Sequence, residues 1–358
     1  MSMCGPEDSR GLPGVDGTWF DGIQRRWTAF AEQFVWLRWV ERWGLSAGSL
    51  VLGALTLFIF RRGIEYFAWF IGYLVLLWLG GVAFAEARRS LRDRGRQVIG
   101  IVMDYTVQVL FHGLLLFLLP IYYASTTFAC WNGLFFLVLA AAALVTAVDP
   151  WYRAILIRFR WIEVVLFGFG LFASLNVAFP LIGVRSSRGL ILSGALSILA
   201  LAPIFRRAGT CSWRDALLKA GTWGVGVVIL LWLVRGWLPP VPLHLARASF
   251  ARTVLRLEPV QPVSTLAVAE LKSWGELTVF TAVAAPAGLR EPIVHEWRKD
   301  GVVMARIALS AVRGGRAGGF RTYSRKSDLG PNPVGSWTVD VLTDQSQLIG
   351  RVRLRVTP

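Results

Sequence analysis

The chain has 358 residues, of which 55% are hydrophobic, and a mean hydropathy of +0.53. That is too apolar for a soluble protein of this size and implies a membrane protein. The net charge is +16; three histidines exclude a His-rich metal centre, and three cysteines (Cys4, Cys130, Cys211) without a CxxC pair argue against a disulfide framework or a cysteine metal site.

Residues 1–44 lack the apolar core and small-residue cleavage site of a signal peptide. Within them, Trp19, Ile23, Trp27, Phe30, Phe34 and Trp36 recur at helical spacing, with Arg25, Arg26, Glu32 and Arg38 interleaved. This pattern suits an amphipathic helix at the cytoplasmic membrane interface, or one packed on the cytoplasmic face of the bundle. Seven apolar stretches fill 45–238, at about 45–60, 64–85, 101–123, 127–148, 161–184, 189–205 and 217–238. Each approaches the roughly 17–25 residues that a bilayer core needs. Leu238-Pro239-Pro240 ends the last span, and residues 239–276 read as a linker marked by Pro259 and Pro262.

From Leu277 the hydrophobic period changes to two. Strands are expected at 277–285, 293–298, 302–311, 319–325, 336–343 and 348–356, with Asp300-Gly301 as a hairpin turn. Six or seven short strands over 277–358 imply a small antiparallel sandwich of immunoglobulin-like form. The expected fold is therefore a bundle of seven transmembrane helices followed by an all-β sandwich.

Lysine and arginine set the orientation. Sixteen lie in one set of segments: Arg25, Arg26, Arg38 and Arg42; Arg88, Arg89, Arg92, Arg94 and Arg96; Arg153, Arg158 and Arg160; and Arg206, Arg207, Arg214 and Lys219. The alternate loops hold four, Arg61, Arg62, Arg185 and Arg188. The N-terminus is expected in the cytoplasm, and an odd number of spans places the β domain outside.

Two groups of residues are candidates for function. Asp104, Gln108 and His112 are spaced four apart and fall on one face of the third span. Polar groups inside a span often mark a pathway, yet they also serve as hydrogen-bond glue between helices. Asn132 and Asn176 are placed to join such a polar interior. In the exterior domain, His295, Arg321, Ser324, Lys326, Arg351, Arg353 and Arg355 are binding candidates. Residues 241–358 carry 16 Lys and Arg against 9 Asp and Glu, so an acidic polymer or anionic headgroup is a natural partner. The same charges also suit an ordinary solvated sheet face. Trp297 and Trp337 read as core anchors, and His295 as a structural histidine. No GxSxG, HExxH or Gly-rich phosphate loop occurs.

The run from Ala284-Ala285-Pro286-Ala287-Gly288-Leu289-Arg290-Glu291 through His295-Glu296-Trp297, Gly314-Gly315-Arg316, Arg321-Thr322-Tyr323-Ser324-Arg325-Lys326 and Gly335-Ser336-Trp337-Thr338-Val339 resembles the bacterial domain-of-unknown-function family 2914. The membrane part, with Phe117-Leu118-Leu119-Pro120 and Thr126-Thr127, is similar to family 5924, which precedes that domain in such proteins. The resemblance implies a bacterial membrane protein with an exterior β domain and supplies no activity or functional residues.

The expected function is that of a non-enzymatic multi-pass inner-membrane protein. Its exterior domain would bind a protein or an envelope component such as an anionic glycolipid or polymer, as part of a membrane complex. Membrane lipids and another membrane or envelope protein are the expected partners; neither nucleic acid nor a cofactor is. The alternative is a transporter or flippase-like carrier using the polar stripe of the third span.

Overall fold

The structure, a computed structural model, describes residues 97–128, 130–148, 152, 158–159, 161–207 and 212–358, with side chains from Phe111 onward apart from Glu163. The interfacial helix expected at 18–43 and the first two spans lie outside the described residues.

The helices are α1 (Gln97–Ala124), α2 (Asn132–Ala147), α3 (Trp161–Leu181), α4 (Ser186–Leu199), α5 (Ala202–Arg207) and α6 (Trp213–Leu233), followed by a 3-10 turn at Arg235–Trp237. Among the described residues, three stretches are long and apolar enough to cross a membrane: Val164–Leu181, Ser186–Arg206 and Trp213–Leu233; Phe111–Ala124 and Asn132–Ala147 are shorter apolar helices. The stretch expected as one span at 189–205 is interrupted at Ala200–Leu201. Pro203 sits in the first turn of α5, where its missing N–H breaks no helical bond.

Small residues set the closest helix packing. Gly189, Ser193 and Ser197 of α4 repeat every fourth position, as do Ala216, Ala220 and Gly224 of α6, and all six are buried. Such stripes let backbones approach without bulky side chains between them. The serine hydroxyls bond to their own helix, Ser193 to the Gly189 carbonyl at 2.6 Å and Ser197 to that of Gly194 at 2.9 Å. Helix α6 opens on a capping box, in which Ser212 Oγ accepts from the Asp215 N–H and the Asp215 carboxylate accepts from the Ser212 N–H.

The β domain begins earlier than the sequence suggests. Residues 239–276, expected as a linker, carry β1 (His244–Leu255), β2 (Glu258–Val263), β3 (Thr265–Ala267) and α7 (Val268–Trp274). Alanines and arginines blur the alternation of β1. Pro259 and Pro262 are tolerated because β2 is an edge strand. The later strands are β4 (Leu277–Ala284), β5 (Arg290–Glu291), β6 (Ile293–Lys299), β7 (Val302–Ala308), β8 (Val312–Arg313), β9 (Phe320–Lys326), β10 (Gly335–Thr343) and β11 (Leu348–Thr357). One sheet has the order β2-β1-β4-β9 and the other β3-β11-β10-β6-β7, with β5 and β8 forming a small separate pair.

Both sheets supply one core. Phe250, Leu277 and Val279 from the first meet Trp297, Trp337, Val339, Val352 and Leu354 from the second. The ring of Phe250 stands edge-on to Trp297, with centroids 5.8 Å apart. Beyond Ala251, β1 leaves its pairing with β4 and bends. Val254 thereby packs on Phe280 and Ala282, and the β1–β2 hairpin arches over the outer face of its own sheet.

Candidate functional site

In the bundle, His112 faces α2, and its Nδ1 lies 3.3 Å from Thr146 Oγ1. The Thr146 hydroxyl also lies within hydrogen-bonding distance of the Ala142 and Ala143 carbonyls. This is a contact between packed helices, the glue that the sequence allowed as one reading. The backbone of Asp104 and Gln108 belongs to α1, but their side chains lie outside the described residues. Asn176 donates to Tyr122 Oη at 3.3 Å, and that hydroxyl donates to the Ala173 carbonyl at 3.0 Å, so α1 and α3 are tied as well.

The seven candidates of the β domain divide between core and surface. His295 and Ser324 are buried between the two sheets, where an external ligand does not reach them. Alternation puts His295 and Trp297 of β6 on the inner face, opposite Thr281 of β4 and Ser324 of β9. His295 Nδ1 lies 2.8 Å from Ser324 Oγ, and its Nε2 lies 3.1 Å from Thr281 Oγ1. Trp297 Nε1 donates to Ser324 Oγ at 3.0 Å. Both ring nitrogens are thus occupied, and burial pushes the imidazole pKa down to about 4. The arrangement is that of a neutral, structural histidine.

The arginines lie on outer faces. Arg321 pairs with Glu258, which also binds Arg247 at 3.3 Å. Glu258 therefore pins the arched hairpin to both β1 and β9. Lys326 has no ionic partner among the described residues. On the other sheet, Glu296 and Asp340 are nearly buried beneath arginines. Arg298 and Arg306 each approach Glu296 at 2.5 Å, and Arg351 clamps Asp340 through two bonds of 2.5 and 2.7 Å. Arg351 is thereby committed to the domain itself. Arg353 and Arg355 follow on the same face, opposite Thr338 and Ser336, exposed and without acidic partners among the described residues.

A third cluster was not foreseen: the seam between the β domain and the helix ends. Asn132 Nδ2, at the start of α2, donates to the Leu348 carbonyl at 3.4 Å. Gln347 Nε2 donates to the Leu238 carbonyl at 3.4 Å, and Arg235 Nε to the Gln345 carbonyl at 3.2 Å. Glu291 Oε2 accepts from the Ser186 N–H at 2.9 Å, capping α4 from the β domain. Gly183 turns the α3–α4 loop with φ +85 and passes close to Gly288, where an ordinary side chain would be strained. No local pattern announces these partners, which lie 105 to 216 residues apart in the chain.

The membrane part of the chain, with the start of the β domain, matches a family model described as "Family of unknown function (DUF5924)" over residues 24–278. The chain belongs to DUF5924. A second model, "Protein of unknown function (DUF2914)", matches residues 290–356, in the order that the sequence motifs imply. The DUF5924 match runs through β1, β2, β3 and α7 into β4, whereas the DUF2914 match starts at β5. Each of the two large sheets therefore mixes strands from both matches. Neither a curated protein nor a solved structure was found to match.

Proposed function

We propose that this DUF5924 protein is a non-enzymatic inner-membrane protein of seven spans, whose exterior immunoglobulin-like domain binds an anionic envelope component. The orientation of the described helices carries the reading. The β domain meets the first residues of α2 and α4 and the segment after α6. Arg158, Arg206, Arg207 and Arg214 lie at the opposite helix ends, the side that the positive-inside rule assigns to the cytoplasm. Aromatic rings flank both ends, with Trp131 stacked on Trp237 near the β domain and Arg206 over Trp213 at the far side. Such rings suit the two headgroup layers.

The strand order supports the immunoglobulin-like form. The run β11-β10-β6 corresponds to strands G, F and C, with β6 carrying the buried Trp297 expected of strand C. The run β1-β4-β9 corresponds to A, B and E, and β3 pairs in parallel with β11. Arg353 and Arg355, without acidic partners among the described residues, supply the anion-binding surface. A reporter fused after Pro358 is expected to behave as exported; a cytoplasmic signal removes both the span count and the exterior placement.

Binding is tested with the full chain in neutral-lipid nanodiscs and soluble polyphosphate as the acidic polymer. Binding is expected at low salt and should fade as salt passes roughly 0.1–0.15 M. R353Q/R355Q should weaken it about tenfold, the effect of ~1.4 kcal/mol. Equal binding by the variant removes these arginines from the site. No binding at low salt overturns the anionic ligand and leaves a protein partner as the occupant.

A further inference from the structure

Each large sheet ends in two edge strands, and three of these four edges carry a device against further pairing. β2 contains Pro259 and Pro262, which have no N–H to offer. β3 is only three residues long, and β9 carries Arg321, Arg325 and Lys326. Prolines, short strands and charges are the usual protection of a sheet edge. β7 is different: Val302-Val303-Met304-Ala305-Arg306-Ile307-Ala308 has no proline and one charge. Val302, Val303 and Met304 are 65%, 43% and 42% exposed. Among the described residues, no strand pairs with β7 on the side away from β6.

The ladder with β6 fixes what this edge offers. Leu309 N–H donates to the Ile293 carbonyl at 3.0 Å, in step with the β6–β7 register. Antiparallel alternation then turns the N–H and C=O of Ala305 and Ile307 towards β6, and those of Arg306 and Ala308 outward. Met304 is the extra residue of a bulge between the Trp297–Ala305 and Arg298–Val303 pairs, so the regular open edge runs from Ala305 to Ala308. The side chains alternate as well. Ala305 and Ile307 lie along the rim of the shared core. Arg306 stands on the outer face with its side chain 62% exposed. There Arg298 and Arg306 share Glu296, and Asp340 lies between Arg298 and Arg351. Three arginines against two carboxylates leave this face positive beside the edge.

We propose that β7 is a docking edge for an extended segment of another protein, which adds a strand to the sheet through main-chain hydrogen bonds to Arg306 and Ala308. Alternate side chains of that segment meet different surroundings. Those next to Ala305 and Ile307 are apolar and extend the rim of the core. Those beside Arg306 are acidic, since opposite charges across a strand pair attract. The same charge selects against a second copy of this chain. Residues 241–358 carry 16 Lys and Arg against 9 Asp and Glu, and two β7 edges laid together would bring two such domains and their Arg306 side chains side by side. Arg353 and Arg355 lie on β11, three strands away in the same sheet, so the edge is a surface distinct from theirs.

The test adds a capped peptide alternating valine and glutamate, as long as β7, to the full chain in neutral-lipid nanodiscs. Amide exchange is followed in β7, with β6 and β10 as the check on the fold. Protection of the Arg306 and Ala308 amides is expected to rise several-fold with the peptide. A peptide with lysine in place of glutamate should bind about tenfold more weakly. The acidic peptide N-methylated at its amides keeps the charge but cannot pair, and should leave β7 unprotected. Ala308→Pro removes an outward N–H without breaking the β6–β7 ladder and should weaken binding about tenfold. Equal binding by the N-methylated peptide would mean attraction to the arginine face alone and overturns the docking edge, whether or not A308P folds. Unchanged β7 exchange with the acidic peptide, or equal binding by the lysine peptide, overturns it too. So does β7 protection that rises with protein concentration in the absence of peptide, which assigns the edge to a second copy.

Discussion

Trp297→Ala should destabilise the β domain by about 3–5 kcal/mol, the usual cost of emptying a fully buried aromatic site. Trp297 has no exposed surface, stands edge-on to Phe250 and donates its indole N–H to Ser324. The loss combines a cavity at the meeting of the two sheets with a broken buried hydrogen bond. Trp297→Phe separates the two, because it keeps most of the packing and leaves Ser324 bonded to His295. It should cost about 1–2 kcal/mol for the lost bond and the smaller ring. Hydrogen exchange of the β6 and β10 amides in the full chain reads both losses. Equal protection in W297A and wild type would mean that the shared core does not hold the sheets together.

Acid should weaken the same core through His295. Its folded pKa of about 4 lies below the ordinary value of 6.5, so the folded domain binds fewer protons than the unfolded chain between those values. The stabilising contribution is complete above pH 6.5 and declines as pH falls towards 4. The slope is about 1.4 kcal/mol per pH unit, which gives a total loss of about 3 kcal/mol. His295→Gln removes the titrating group and should flatten the profile, although it lowers stability at neutral pH. A slope in H295Q equal to that of the wild type would assign the response to the carboxylates.

The strands were legible where apolar residues alternate without interruption. The β4, β6, β7, β9, β10 and β11 positions agree with the sequence reading to within a few residues. β1 was not legible because Ala246, Ala248 and Ala251 are small, so burial leaves little hydrophobic contrast. β2 was hidden by Pro259 and Pro262, which read as loop until the chain places them at a sheet edge. Within the site, the buried role of Trp297 and the structural role of His295 followed from residue type. The ion pairs did not, since Asp340 and Arg351 meet only through the register of β10 and β11. That register commits Arg351 to the domain and leaves Arg353 and Arg355 without acidic partners among the described residues.

The seam also carries a consequence for how the protein is made. The N–H of Ser186 waits for a carboxylate 105 residues further along the chain, and the Asn132 amide waits for a carbonyl 216 residues away. A ribosome adds about 5–20 residues each second. Helix α4 is therefore synthesised several seconds before its cap exists, and α2 before its seam partner, and water serves these groups in the interval. The seam can close only after the C-terminal strands have emerged. A chain stopped short of β5 would carry every membrane helix described here and still lack the carboxylate that finishes one of them.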